Sequence, residues 1–321
     1  MSINTLEQAQ TTLQSLQESA WILNTLTVIA EANVLAKLQT GASIDELTDS
    51  ASIPVSILTQ ALELLTAAGI LSHEESRYTL APGMSALTQK MGLTTLTLQL
   101  QSTFGLNREF VTEAHNKKLS VGWHHTDTNL IEAFGTLSRF IANDYIPQDK
   151  DLQKLLEQPG AKFLDIGAGC AQISIRLCEL YPQVKIVALE PADKPFELAQ
   201  KHVQASPYAD RIELRKIFIQ QLTDKNTYDV IWIPQVFLSN DVLHEALPII
   251  WQALKPHGKI FAGALPLEKN DVSYKLRKLL NALFGAARTT EQVASLFEQA
   301  HFKDVKIFPE MAGYSLLTAV K

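Results

Sequence analysis

Residues Lys162 to Gly169 read Lys-Phe-Leu-Asp-Ile-Gly-Ala-Gly, and this stretch restricts the possible folds more than any other. Phe163, Leu164 and Ile166 form a short apolar run suited to a strand buried on both faces, as in a parallel sheet. Gly167 and Gly169 then permit a tight turn and let a ligand approach the backbone with no Cβ in the way. From Ala171 to Glu179 the pattern is helical, with Ile173, Leu177 and Leu180 spaced to face a sheet. A second apolar run, Ile186 to Leu189, ends at Glu190, 25 positions after Asp165. That is close to the spacing at which a second-strand carboxylate holds a ribose.

A strand–Gly-x-Gly–helix unit is also compatible with an ordinary tight turn between strand and helix. Asp165, two positions before the first glycine, narrows the choice. In nicotinamide-binding units that position is normally apolar, and a pyrophosphate rests on the helix N-terminus. A carboxylate there would repel a pyrophosphate but suits a ligand with a cationic end. The sequence therefore favours S-adenosylmethionine over NAD.

At these residues the chain resembles the class I S-adenosylmethionine-dependent methyltransferases. Their first motif, apolar-apolar-Asp-apolar-Gly-x-Gly-x-Gly, is matched from Phe163 onward, with Ala171 in place of the third glycine. Alanine still packs closely there, and is expected to exclude a positive φ. The resemblance implies that Gly167, Ala168 and Gly169 cradle the cofactor. It also implies that Glu190 and Pro191 sit at the ribose and that Phe218 and Ile219 flank the adenine. Asp229 to Gln235 would be the fourth strand and its exit, bringing Pro234 and Gln235 to the cofactor. Leu254 to Lys259 is similar to the family's turn before strand five, and the resemblance covers residues 159–321.

The expected fold is α/β, a doubly wound Rossmann-like seven-stranded sheet. Strands are predicted near residues 162–166, 185–190, 211–217, 229–234 and 259–265. Val305 to Phe308 and Ser315 to Val320 should complete the sheet as an antiparallel hairpin, because no crossover helix fits between them. Residues 1–150 carry 8 Lys and Arg against 15 Asp and Glu, whereas residues 151–321 carry 20 against 19. That shift accompanies the change from helical to alternating βα patterning and places a boundary near residue 150.

The first hundred residues read as helices with a small hairpin. Ala20 to Leu38 is largely apolar, with Ile22, Leu23, Leu26, Ile29 and Ala30 on a broad face. Ser43 and Glu46 stand in capping-box register. Pro54 opens a helix running to Gly69 with Ile57, Leu58, Ala61, Leu62 and Leu65 inward. Gly69 to Leu71 and Arg77 to Leu80 then pair. This order is that of a winged helix, and it resembles the N-terminal dimerisation domain of small-molecule O-methyltransferases. The implied organisation is a winged-helix-like dimerisation domain at 1–100, a helical linker at 101–150 contributing to the substrate cleft, and the cofactor-binding domain at 151–321. A homodimer follows from the resemblance. DNA binding does not: from Leu38 to Ser76 there is no Lys or Arg against six acids, and phosphate contacts require positive charge.

Cys170 and Cys178 lie eight apart around one helix, offering neither a disulfide framework nor metal-ligand spacing. Cys170 sits near a helix N-terminus, where thiolate is favoured, although a small buried filler is the simpler reading. The first basic residue is Lys37, so no charged leader precedes an apolar segment, and no apolar run reaches membrane-spanning length. A cytoplasmic location without membrane or nucleic-acid partners is expected.

Gly122-Trp123-His124-His125-Thr126-Asp127 is dense in titratable and aromatic residues. It resembles a Gly-Trp-aromatic-His-Thr-Asp pattern in some bacterial members of the family, in which His125 takes the histidine position near the substrate. A neutral imidazole can accept an acceptor's proton, with Asp127 orienting it and His124 as a lesser partner. Alternatively, Asp127 or Thr126 caps a helix containing Leu130, Ile131 and Phe134. The plant-type enzymes' histidine after strand four is absent: Val236 to Asp241 contains none, and His244 falls on the next helix. The expected reaction is methyl transfer to a small molecule, at a hydroxyl, chiefly by positioning. A non-methylating use of the cofactor, such as decarboxylation or cyclisation, and a retired cofactor-binding interaction protein are the alternatives.

Overall fold

The computed structural model describes residues 3–49, 51–123 and 127–321. The chain divides into two compact units, residues 1–116 and 117–321. The segment 101–150 is accordingly shared: its beginning completes a helix of the first unit, and the remainder belongs to the second.

The first unit contains α1 (Leu6–Glu31), α2 (Val34–Leu38), α3 (Ile44–Thr48), α4 (Val55–Ala67), β1 (Leu71–Glu74), β2 (Arg77–Leu80), α5 (Pro82–Met91) and α6 (Leu93–His115). The single helix read from Ala20 to Leu38 is broken at Asn33, which adopts φ 58°, a conformation asparagine tolerates better than most residues. The Ser43–Glu46 capping box forms in both directions. Ile29, Leu35, Leu38, Leu58, Leu62 and Leu65 make the core of this unit. Ile57 does not join them: it is 60% exposed, because the buried stripe of α4 runs 58, 62, 65 and leaves position 57 on its flank. β1 and β2 pair antiparallel with Leu71 opposite Leu80.

The second unit contains α7 (Thr128–Ser138), a π-helical turn Ile141–Tyr145, α8 (Lys150–Glu157), β3 (Lys162–Ile166), α9 (Gln172–Leu180), β4 (Lys185–Leu189), α10 (Asp193–Ala205), β5 (Ile212–Arg215), β6 (Tyr228–Trp232), α11 (Asn240–Ala253), β7 (Leu254–Ala264), α12 (Val272–Phe284), α13 (Thr290–Gln299), β8 (Lys303–Ile307) and β9 (Ser315–Val320). The sheet has seven strands in the order β5-β4-β3-β6-β7-β9-β8. β9 pairs antiparallel with both β7 and β8, so the expected terminal hairpin is present. Neighbouring residues of β3 serve opposite faces of the sheet, Phe163 in one apolar cluster and Leu164 in the other. Leu180, expected to face the sheet, is 39% exposed at the end of α9, where the helix has turned past it.

β7 begins earlier than predicted. Leu254 pairs with Tyr228 and Lys259 with Val230, so the residues between them bulge out, with His257 at φ 65°. At the outer edge, β8 shifts register between Lys303 and Lys306, and Asp304 takes φ 50°. Asp149 ties three elements together. Its Oδ1 accepts from the backbone of Asp151 and Leu152 at the start of α8, while Oδ2 accepts from Lys259 of β7 (2.6 Å) and Thr318 of β9 (2.8 Å). No described helix is long and apolar enough to cross a membrane. The strand order reverses between β3 and β6, and in open α/β sheets the crevice at such a switch point holds the ligand.

Candidate functional site at the switch point

At the end of β3 the chain turns left-handed three times within five residues: Gly167 has φ 64°, Gly169 φ 57° and Ala171 φ 62°. The expectation that alanine excludes a positive φ at this place was wrong. A bond from Ala171 N to Ala168 O (2.8 Å) closes the turn, and the alanine is fully buried among the core residues. Local closure and burial outweigh the steric cost of about 1–2 kcal/mol. Gly167 has a further reason to be glycine, since a Cβ there would lie 3.3 Å from Pro234 Cγ. Pro234, just past β6, thus closes against the turn. Ala168 is anchored to β4 through its N–H, which donates to Leu189 O at 2.9 Å.

Two buried carboxylates stand at this turn. Glu190 Oε2 accepts from Gly169 N (2.8 Å) and Oε1 accepts from Ala192 N (2.9 Å). Burial pushes its carboxyl up, against the opposing pull of those two bonds. Each oxygen keeps a lone pair for a ribose hydroxyl. Asp165 is completely buried. Its Oδ2 accepts from Ser174 Oγ at 2.7 Å, whereas Oδ1 has no partner among the described residues. Burial raises its carboxyl to about 7, with the nearby Glu190 charge adding to the effect and the Ser174 bond opposing it. An orphaned carboxylate oxygen beside open glycine backbone suits the ammonium group of a methionine-like ligand.

The remaining residues named from sequence divide into two groups. Pro191 is half-buried next to Glu190. Phe218 is 61% exposed beyond β5, while Ile219, expected beside it at the adenine, points inward with Leu189 and Leu222. Gln235 is fully buried and its amide is already used: Nε2 donates to Gly263 O (2.8 Å) and Oε1 accepts from Arg288 (3.0 Å). Arg288 was missed in sequence. Its guanidinium donates to the carbonyls of Gln235 and Leu238 and to Asn240 Oδ1, fixing the loop where plant-type enzymes carry their histidine.

His124 and His125, with Thr126, lie outside the described residues. Asp127 is the N-cap of α7, its Oδ1 accepting from Asn129 N (2.9 Å) and Leu130 N (3.3 Å). Trp123 packs edge-on against Phe134 (5.0 Å between ring centroids) and Phe237 (5.1 Å), and lies 5.5 Å from Phe284. The segment into and along α7, the loop after β6 and the end of α12 thus build one aromatic wall. Behind the glycine turn, Glu132, Cys170 and His202 come within 4.8 Å of one another, which no sequence spacing revealed. His202 Nε2 pairs with Glu132 Oε1 at 3.0 Å. Burial pushes the Cys170 thiol up to about 12, so it is a neutral filler and not a thiolate, despite its place before α9.

Residues 164–260 match the methyltransferase domain family. That stretch runs from β3 into β7, and the sheet order and acidic glycine turn around it are those expected of a class I S-adenosylmethionine-dependent methyltransferase domain. Over 115 residues the chain is 30% identical to the tRNA1(Val) (adenine(37)-N6)-methyltransferase of Dyadobacter fermentans, covering 30% of this chain and 48% of that protein. It is 26% identical over 145 residues to the malonyl-[acyl-carrier protein] O-methyltransferase of Priestia megaterium, covering 45% of this chain and 50% of that protein. The chain thus spans about half the length of these curated relatives. Whole-chain similarity of fold is seen with human N-acetylserotonin methyltransferase in complex with S-adenosylmethionine (TM-score 0.73, 15% identity, covering 100% of this chain and 99% of that one).

Removing either carboxylate is expected to weaken the cofactor. Glu190→Ala and Asp165→Ala should each cost about 1.5–3 kcal/mol, roughly ten- to a hundredfold in affinity, by calorimetry. A cationic ligand favours ionised Asp165, so binding should release a proton below pH 7 and strengthen as pH rises through that value. In the cofactor-free protein the same raised carboxyl should lower stability as pH climbs from the ordinary aspartate value toward 7. Asp165→Asn should flatten both dependences, and a proton release unchanged in that variant would assign it to another group.

Proposed function

We propose that the protein transfers the methyl group of S-adenosylmethionine to a hydroxyl of a small aromatic molecule. The observation that carries this reading is the partly unsatisfied carboxylate pair, Asp165 and Glu190, around an open glycine turn at the switch point. When bound, the cofactor supplies a methyl group already activated on a sulfonium. Glu190 would hold the ribose, Asp165 the amino group, and Phe218 the adenine. The aromatic wall of Trp123, Phe134, Phe237 and Phe284 supports an acceptor that is itself planar and apolar over much of its surface. Held in line with the sulfonium, such an acceptor gains much of its rate from positioning.

His125 is proposed to take the acceptor's proton. It stands two residues after Trp123 in the sequence. Incubation with radiolabelled S-adenosylmethionine and a metabolite extract tests the reading. Label should appear in a small molecule. Cofactor-dependent product without label would instead favour decarboxylation or cyclisation, and no product would favour an interaction protein.

The chain is further proposed to work as a homodimer. No residue from Leu6 to Trp21 is buried, although all lie in α1. A free helix of that length is marginal in water. Leu6, Ala9, Leu13, Leu16 and Ala20 recur at alternating steps of three and four, the seam spacing of a helix that packs along another. A second copy's α1 fits that seam. Sedimentation should find a dimer at micromolar concentration, and Leu13→Glu with Leu16→Glu should yield a folded monomer; a monomeric wild type would contradict this.

A further inference from the structure

Five buried side-chain polar atoms among the described residues have no partner: Asp165 Oδ1 at the cofactor turn, Trp251 Nε1, and a group of three, the Tyr145 hydroxyl, Arg277 Nε and Asn281 Nδ2. Unpaired buried donors are costly and are rarely retained without use. These three belong together. Arg277 and Asn281 stand one turn apart on the same face of α12. The Tyr314 hydroxyl donates to Asn281 Oδ1 at 2.8 Å, which turns the amide nitrogen away from Tyr314. Tyr314 in turn is influenced by the Arg277 charge, and Tyr145 by Tyr314. Gly313 leaves the space in which the guanidinium lies, since a Cβ there would be 2.6 Å from Arg277 Cζ.

The cluster is linked to the cofactor turn through β7 and the loop after β6. Tyr145 ends a π-helical turn, a distortion that frequently marks functional positions. Its ring edge lies 3.2 Å from where a Cβ of Gly263 would be, with Trp232 at 3.9 Å. Gly263 O accepts from Gln235, and Pro234 before it packs against Gly167. In the other direction, Phe284 follows Asn281 by three residues on α12 and faces Trp123 and Phe237. One helix therefore carries the donors in its middle and last turn and a member of the aromatic wall at its C-terminal end.

We infer that the methyl acceptor is an aromatic molecule bearing a carboxylate, whose oxygens are received by Arg277, Asn281 and Tyr145. All three free groups can donate, and two can only donate, so they complement acceptors and not amines. Among the described residues the Arg277 charge is met at a distance, by Glu310 at 3.9 Å, which favours an anion over a neutral carbonyl. This inference rests on the methyl-transfer reading above and assigns the part of the acceptor that is not methylated.

The test compares 4-hydroxybenzoate with 4-hydroxybenzylamine, by calorimetry on the full chain with S-adenosylhomocysteine present, so that binding is read without turnover. The acid should bind at least tenfold more tightly than the amine. Arg277→Met should weaken the acid roughly ten- to a hundredfold and leave the amine unchanged or improved. Tyr145→Phe removes a hydroxyl without a protein partner, so its melting temperature should hold or rise while acid affinity falls several-fold. Equal binding of acid and amine, no saturable acid binding up to millimolar concentration, or a Tyr145→Phe variant that loses stability and keeps affinity would overturn the inference. Acid that binds but accepts no label would defeat the methyl-transfer reading alone. Label entering neutral phenols or amines as efficiently as acids would defeat this inference alone.

Discussion

Replacing His125 with alanine is expected to lower turnover by roughly 10²–10⁴-fold, the range for loss of a positioned general base, with cofactor affinity nearly unchanged. Asp127 supplies the contrast. As the N-cap of α7, its replacement by alanine should lower stability by about 1 kcal/mol and affect turnover mainly by loosening that helix. Melting temperature, cofactor binding and methyl incorporation measured on each variant separate these roles. If His125→Ala loses stability and keeps its turnover, the histidine is a turn residue and catalysis rests on positioning alone.

Lys259→Met should be the most destabilising substitution in the sheet, by about 3–5 kcal/mol, because it strands a buried carboxylate. The Lys259–Asp149 pair is almost fully enclosed, with 6% and 3% of the side chains exposed. Burial alone would raise the Asp149 carboxyl, but its bonds from Lys259 and Thr318 and the lysine charge together hold it below the ordinary value. The stability this contributes is present above the unfolded-state pKa and is lost as pH falls through the folded one. In Lys259→Met the carboxyl protonates more readily, so the deficit in urea unfolding should be large at pH 7 and smaller at pH 4. A deficit that does not shrink at pH 4 would mean that packing of the lysine stem, and not its charge, matters there. Adding Asp149→Asn should recover part of the loss at pH 7.

The parts of this molecule legible in sequence are those specified over short distances. The strand–glycine–helix unit from Lys162, the Ser43–Glu46 cap and the terminal hairpin each depend on residues close to one another. So do the places of Asp165 and Glu190 at the ends of β3 and β4. Ala171 was misread because the steric rule for a positive φ takes no account of burial and turn closure supplied by its surroundings. The beginning of α1 went unnoticed because Gln, Thr and Ser dominate it and its apolar residues are sparse. What sequence could not reveal are side chains that meet across the fold. Arg288 reaches back 53 residues to Gln235, Lys259 reaches 110 to Asp149, and Tyr314 reaches back 33 to Asn281. None of these residues has a neighbour in sequence that announces its partner.

The two edges of the seven-stranded sheet bear on how this chain can meet others. β5 is short and bears Glu213 and Arg215, which pair with each other. β8 carries Lys303, Asp304 and Lys306 and is kinked by its register shift. Bulged, charged edges resist pairing with a further strand. The sheet is thereby protected from growing into an intermolecular ladder as the chain emerges and folds, when its apolar strands are most vulnerable. The association proposed for α1 uses a helix seam and needs no strand edge.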